Sequence, residues 1–257
     1  MQRVWHGWSP APRAGWWQAM ASEWTKLYTV RSTIWTLLAV VPITVGVAVL
    51  VAATGSLHPG ESLLAAGLGN AVPGQLAAGV AGALVVCGEY GSGTVRATLV
   101  ACPRRVTVLA AKTTVVTVAV FVAALVGAVG AYGAAAALLS GAGHPAGEPV
   151  PALAGVALVY AATAVIGVAT GTAIRHTAGA VTAVSAILLL PALLGPLLGT
   201  WRQPVTGAAP AGVLLGLSGA GEPGAGLAAW PALWLLCLYS LAAWGIGAWL
   251  FHHRDAW

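Results

Sequence analysis

From Ile34 to Ala53 the chain carries no charge, and comparable apolar runs recur at Leu63–Val86, Val106–Leu139, Ala152–Thr172, Ala178–Leu198 and Leu227–Phe251. A helix of about 20 apolar residues spans the hydrocarbon core of a bilayer. Apolar residues make up 59% of the chain and charged residues 7%, whereas an ordinary soluble domain has about 25% charged residues. That leaves too little polar surface to clothe a globule in water. The pattern predicts an all-α membrane protein with six transmembrane helices.

The runs differ in ways that matter for packing. The second contains Asn70, Pro73, Gly74 and Gln75. Either the helix is kinked there, or a short re-entrant piece precedes a span starting near Pro73. The third is too long for one upright helix and is expected to project into the cytosol through Lys112. Ala119, Ala123, Gly127, Ala131 and Ala135 give it a stripe of small residues, which lets another helix approach closely. Gly167 and Gly171 repeat that spacing in the fourth run. Arg175-His176 marks a tight turn, and Pro191 and Pro196 are expected to break the fifth run. In the loop that follows, Pro210–Leu217 is apolar enough to dip into the membrane surface.

Basic residues set the predicted orientation. Arg3, Arg13, Lys26, Arg31, Arg96, Arg104, Arg105, Lys112, Arg175 and Arg254 fall on the side of the N-terminus, and only Arg202 falls on the other. This bias places both termini in the cytoplasm of a multi-pass cell-membrane protein. The net charge of +5 is spread beside apolar runs, so it reads as topology and not as a nucleic-acid surface. Residues 1–32 form a tail and an interfacial amphipathic helix, and 33–257 form the membrane domain. In that first helix Trp17, Met20, Ala21, Trp24, Leu27 and Tyr28 share an apolar face, with Gln18, Ser22, Thr25, Lys26 and Thr29 opposite.

One polar stretch stands out, Cys87 to Arg105, CGEYGSGTVRATLVACPRR. It carries Glu89, Tyr90 and Arg96 and predicts a short cytosolic helix. Ser92 is placed to cap it, Val95, Leu99 and Cys102 share a face, and Pro103 ends it. Elsewhere catalytic chemistry is scarce. No charged residue lies deep in a span, as carriers driven by protons or sodium usually require, and no Gly-Lys-Ser/Thr phosphate loop exists. Cys87, Cys102 and Cys237 show no metal-ligand spacing, and no structural disulfide is expected. The span threonines, including Thr163, either line a path or bond their own backbone. Gly216-Leu217-Ser218-Gly219 matches the GxSG of rhomboid-like proteases. Its serine, however, has only His252 and His253 after it, at the opposite face, so no catalytic residues are assigned.

Gly88-Glu89-Tyr90, Gly93-Thr94-Val95-Arg96, Thr98-Leu99 and Pro103-Arg104-Arg105 resemble the first cytoplasmic loop of bacterial ABC type-2 transporter permeases of the actinobacterial kind. Ser22–Ala39 resembles that family's entry helix and first span, with Tyr28 where the family usually has a basic residue. The resemblance implies a permease subunit that works as a homodimer or as a heterodimer with a second permease. It would be powered by two copies of a separate ATPase subunit holding ATP and magnesium, this chain binding no cofactor of its own. It also implies that Glu89, Tyr90, Thr94, Val95, Arg96 and Leu99 serve a coupling helix seated on that ATPase, while Trp17, Met20, Trp24 and Leu27 anchor the interfacial helix in lipid. Exchange between inward- and outward-facing states would move substrate outward. The other reading is a non-transporting six-span anchor or regulator of a partner complex.

Overall fold

The computed structural model describes residues 15–55, 60–101, 104–141, 143–221 and 227–253, with the side chains of Arg96, Ala97, Leu99 and Ala101 excepted. Among these every element is helical: α1 (Trp16–Thr29), α2 (Arg31–Thr54), α3 (Leu63–Leu68), α4 (Val72–Ser92), α5 (Thr94–Ala101), α6 (Arg105–Leu138), α7 (Pro149–Ile174), α8 (Thr177–Leu194), α9 (Arg202–Ala208), α10 (Pro210–Ser218) and α11 (Ala229–His253). Six of them, α2, α4, α6, α7, α8 and α11, are long and apolar enough to cross a membrane. The protein is therefore a multi-pass, all-α membrane protein.

Helix α7 is the hub. In its most apolar window 83% of residues are buried, against 17% in α2. Helices α4, α6, α8, α10 and α11 all pack on it, and α2 closes against α4 and α6. The α4–α7 seam is tight because glycine lets the backbones touch. A methyl on Gly82 would collide with the Ala164 carbonyl, and one on Gly167 with that of Gly79. With little hydrophobic drive between helices in lipid, such close packing is a main source of cohesion.

The second apolar run folds as two helices, α3 and α4, parted at Gly69–Ala71. Proline at the first turn of α4 explains the restart, since a proline there lacks only an N–H that would be unpaired anyway. Backbone groups at such a break lie inside the bundle, where no water is at hand to satisfy them. The Ala71 carbonyl accepts the Tyr160 hydroxyl at 2.6 Å and the Gln75 N–H at 3.1 Å. Thr44 lies 3.3 Å from the same hydroxyl, and Gln75 donates to Thr163 at 3.0 Å.

Three expectations need correcting. Ser92 does not cap α5. It is the last residue of α4, its hydroxyl donates to the Gly88 carbonyl at 2.8 Å, and Gly93 turns the chain at φ 70. Pro191 does not break α8, which runs through it to Leu194; the chain leaves the α-helix only at the turn containing Pro196. The small-residue stripe of α6 is buried at Gly127, Ala131 and Ala135, but nearer the start Val116, Val120 and Ala124 are the buried residues in place of Ala119 and Ala123. A four-residue spacing drifts off a 3.6-residue turn. Helix α10, from the loop stretch Pro210–Leu217, buries Pro210, Val213, Leu214 and Leu217 against α7, α9, α11, α3 and α8. Residues 1–14, Cys102, Pro103 and Arg254 lie outside the described residues.

Candidate functional site

The polar stretch picked out in the sequence lies where α1, α4, α5 and α6 meet. Helix α6 has 34 residues, a length of about 51 Å at 1.5 Å per residue, well beyond the ~30 Å hydrocarbon core. Lys112 lies about two turns into this helix, at the end where α1 and α5 pack against it.

Lys112 is buried there, and its ammonium donates to Glu23 at 2.6 Å and Glu89 at 2.7 Å. Lys26 donates to the same two carboxylates, at 2.6 Å each. Three helices thus contribute to one closed set of two cations and two anions: Glu23 and Lys26 from α1, Glu89 from α4, Lys112 from α6. Charges this deep persist only when paired, and here each group has two partners of opposite sign. Burial works against the Lys26 charge, but the hydrogen-bonded carboxylates of Glu23 and Glu89 outweigh it and raise its pKa above the ordinary 10.5.

Tyr90 goes another way. Adjacent helix residues point about 100° apart, so while Glu89 faces α1 and α6, Tyr90 receives the Arg175 guanidinium over its ring at 5.3 Å. Arg175 sits in the left-handed turn between α7 and α8. At the neighbouring corner Arg105 donates to the Phe251 carbonyl at 3.3 Å, tying α6 to the end of α11. Helix α5 is pinned by Val95, which is buried in a cleft with Val86, Val108 and Phe251, while Thr94 is exposed.

Of the coupling residues foreseen in the sequence, Glu89, Tyr90 and Val95 are turned inward and hold the loop, and Thr94 faces out. The side chains of Arg96 and Leu99 lie outside the described residues. On α1 the exposed aromatics are Trp16, Trp17, Trp24 and Tyr28, with Met20 and Leu27 half-buried. The inward edge is Ala19, Glu23 and Lys26, so Lys26 leaves the solvent face assigned to it. Sequence reasoning passed over Glu23 and saw Lys112 only as a topology marker. The local sign was the Glu23–Lys26 spacing of three, which places opposite charges side by side on a helix.

The other candidates have plain roles. Thr163 and Thr172 donate to their own helix, at Val159 and Val168. Ser218 donates to Leu215 at 2.9 Å, and the cleft around it, lined by Ser62, Glu148, Pro151 and Trp230 among others, has no histidine among the described residues. Cys87 and Cys237 are free thiols, and among the described residues no cluster of metal ligands occurs. In comparisons with known proteins, no family model matches the chain and no curated protein matches it.

Proposed function

We propose that this chain is the membrane subunit of an ATP-driven exporter of the ABC type-2 kind, with the α4–α5–α6 corner as the part a separate ATPase pushes on. The observation that carries the reading is the ion quartet. It joins α1, the inner end of α4 and the start of α6 at the loop whose sequence resembles the family's coupling segment. A push on α5 would reach α4 and α6 through Gly93 and Val95, and α1 through Glu89. The three helices then move together, as a switch between inward- and outward-facing states requires. In this reading Arg96, Leu99 and Thr94 meet the ATPase, whose own bound ATP and magnesium supply the energy. Trp17 and Trp24 keep α1 in the inner interface of the cell membrane, with both termini cytoplasmic. A second permease copy completes the path.

The experiment is co-purification with an ATPase subunit encoded beside this chain. Arg96→Glu with Leu99→Asp is expected to abolish the association while leaving the chain monodisperse. An undiminished complex removes α5 as the contact, and the absence of any associated ATPase favours an anchoring or regulatory protein.

A further inference from the structure

A cavity of about 380 Å³ opens between α1, α2, α4 and α6, with the ion quartet as its floor. That size falls within the ~300–1,000 Å³ of small-molecule sites. Leu27, Val30, Leu84, Val85, Val115 and Val116 form apolar walls, and the exposed Ser32, Gly88 and Ser92 sit on its rim.

The floor is not saturated. An ammonium has three N–H donors, and Lys26 and Lys112 each spend two on Glu23 and Glu89. Each keeps one. Both Glu23 oxygens and Glu89 Oε1 accept, but Glu89 Oε2 accepts no hydrogen bond among the described residues. The floor thus offers two donors and one carboxylate acceptor with no net charge. An anion alone would find donors but no positive field, and a cation alone would meet Glu89 beside two ammonium groups. A headgroup carrying both a phosphate and a primary ammonium matches every open position, and its acyl chain matches the walls.

We propose that the cavity between α1, α2, α4 and α6 binds one zwitterionic aminophospholipid of the phosphatidylethanolamine class. Its phosphate would take the free N–H groups of Lys26 and Lys112, and its ammonium would donate to Glu89 Oε2. The proposal stands whether or not the chain transports anything. Phosphatidylcholine has no N–H to give Glu89, and phosphatidylglycerol has no ammonium at all.

Native mass spectrometry of the full chain, delipidated and mixed with equal amounts of the three lipids, tests it. Phosphatidylethanolamine is expected to be retained about tenfold over the others, as one charge-assisted hydrogen bond provides. A Cβ at Gly88 meets nothing within 4 Å, so Gly88→Leu would fill the cavity without disturbing the quartet. It is expected to erase the preference while the chain stays monodisperse. Ser32→Trp on the exposed rim gives the same reading by a second route. Equal retention of the three lipids, a preference for phosphatidylglycerol, or an undiminished preference in both variants would overturn the site.

Discussion

Where α1, α4 and α6 meet, Glu23, Lys26, Glu89 and Lys112 bring full charges into contact, while between α2, α7 and the start of α4 the polar residues Thr44, Gln75, Tyr160 and Thr163 are all neutral. The two regions answer different problems. At the α3–α4 break the Ala71 carbonyl accepts the Gln75 N–H, and the Tyr160 hydroxyl on the facing helix adds a second, neutral tie. At the quartet three helices need holding together, and four mutually paired ionic groups do it. Glu23 and Lys112 are almost fully desolvated there, and each is held by two partners of opposite sign; in the other region dipoles suffice.

The largest test of this contrast is Lys112→Met, which leaves Glu23 and Glu89 to share Lys26. Removing one partner of a buried ion set costs about 3–5 kcal/mol, and the fraction of chain still monodisperse after heating should drop accordingly. The double variant Glu23→Leu with Lys112→Met keeps a neutral Lys26–Glu89 pair and is expected to recover much of that loss. If the double variant is no better than the single, unpaired charge is not what the quartet avoids.

Tyr160→Phe tests the neutral region. Inter-helix hydrogen bonds in membranes average about 0.6 kcal/mol and reach about 1.7, and this variant should fall in that range, well short of Lys112→Met. A loss as large as that of Lys112→Met would erase the distinction between the two regions. Smaller still is the Lys26 contribution, since its side chain is 31% exposed. Its pKa is raised in the folded chain, so its stabilisation is complete below pH 10.5 and fades as pH climbs through the raised value. The melting difference between the parent and Lys26→Met should be open at pH 8 and shut at strongly alkaline pH; a constant gap would assign it to packing. Gln75→Leu should change least. It gives up the bond to Thr163 but also removes Gln75 Oε1, which is buried with no partner among the described residues, and melting should shift by less than for Tyr160→Phe.

Lipid imposes a length and a polarity on every crossing helix, and so six apolar runs were readable, though the second, Leu63–Val86, folds as α3 and α4 and continues to Ser92. The same demand made Gly167 and Gly171 legible as packing positions. Two readings failed for want of tertiary information. Pro191 looks like a breaker, yet spanning helices tolerate proline where neighbours and local adjustment accommodate the lost bond. Lys26 looks solvent-facing by the pattern of α1 alone; only the arrival of Glu89, 63 positions away, turns it inward. The polar loop announced itself by composition, but the partnership of Glu23 with Lys112 across 89 positions had no local signature.

The enclosure of α7 has a bearing on biogenesis. Being fourth of the six candidate spans, it follows α4 and α6 into the bilayer and precedes α8 and α11, so one flank has a cradle waiting and the other does not. Lipid must cover the α11 side of α7 until the final span is delivered from the ribosome. A chain halted before Ala229 would expose the flank of α7 at Ala169 and Thr172 on which Gly247 packs, giving membrane quality control a defined surface by which to tell an unfinished chain from a completed one.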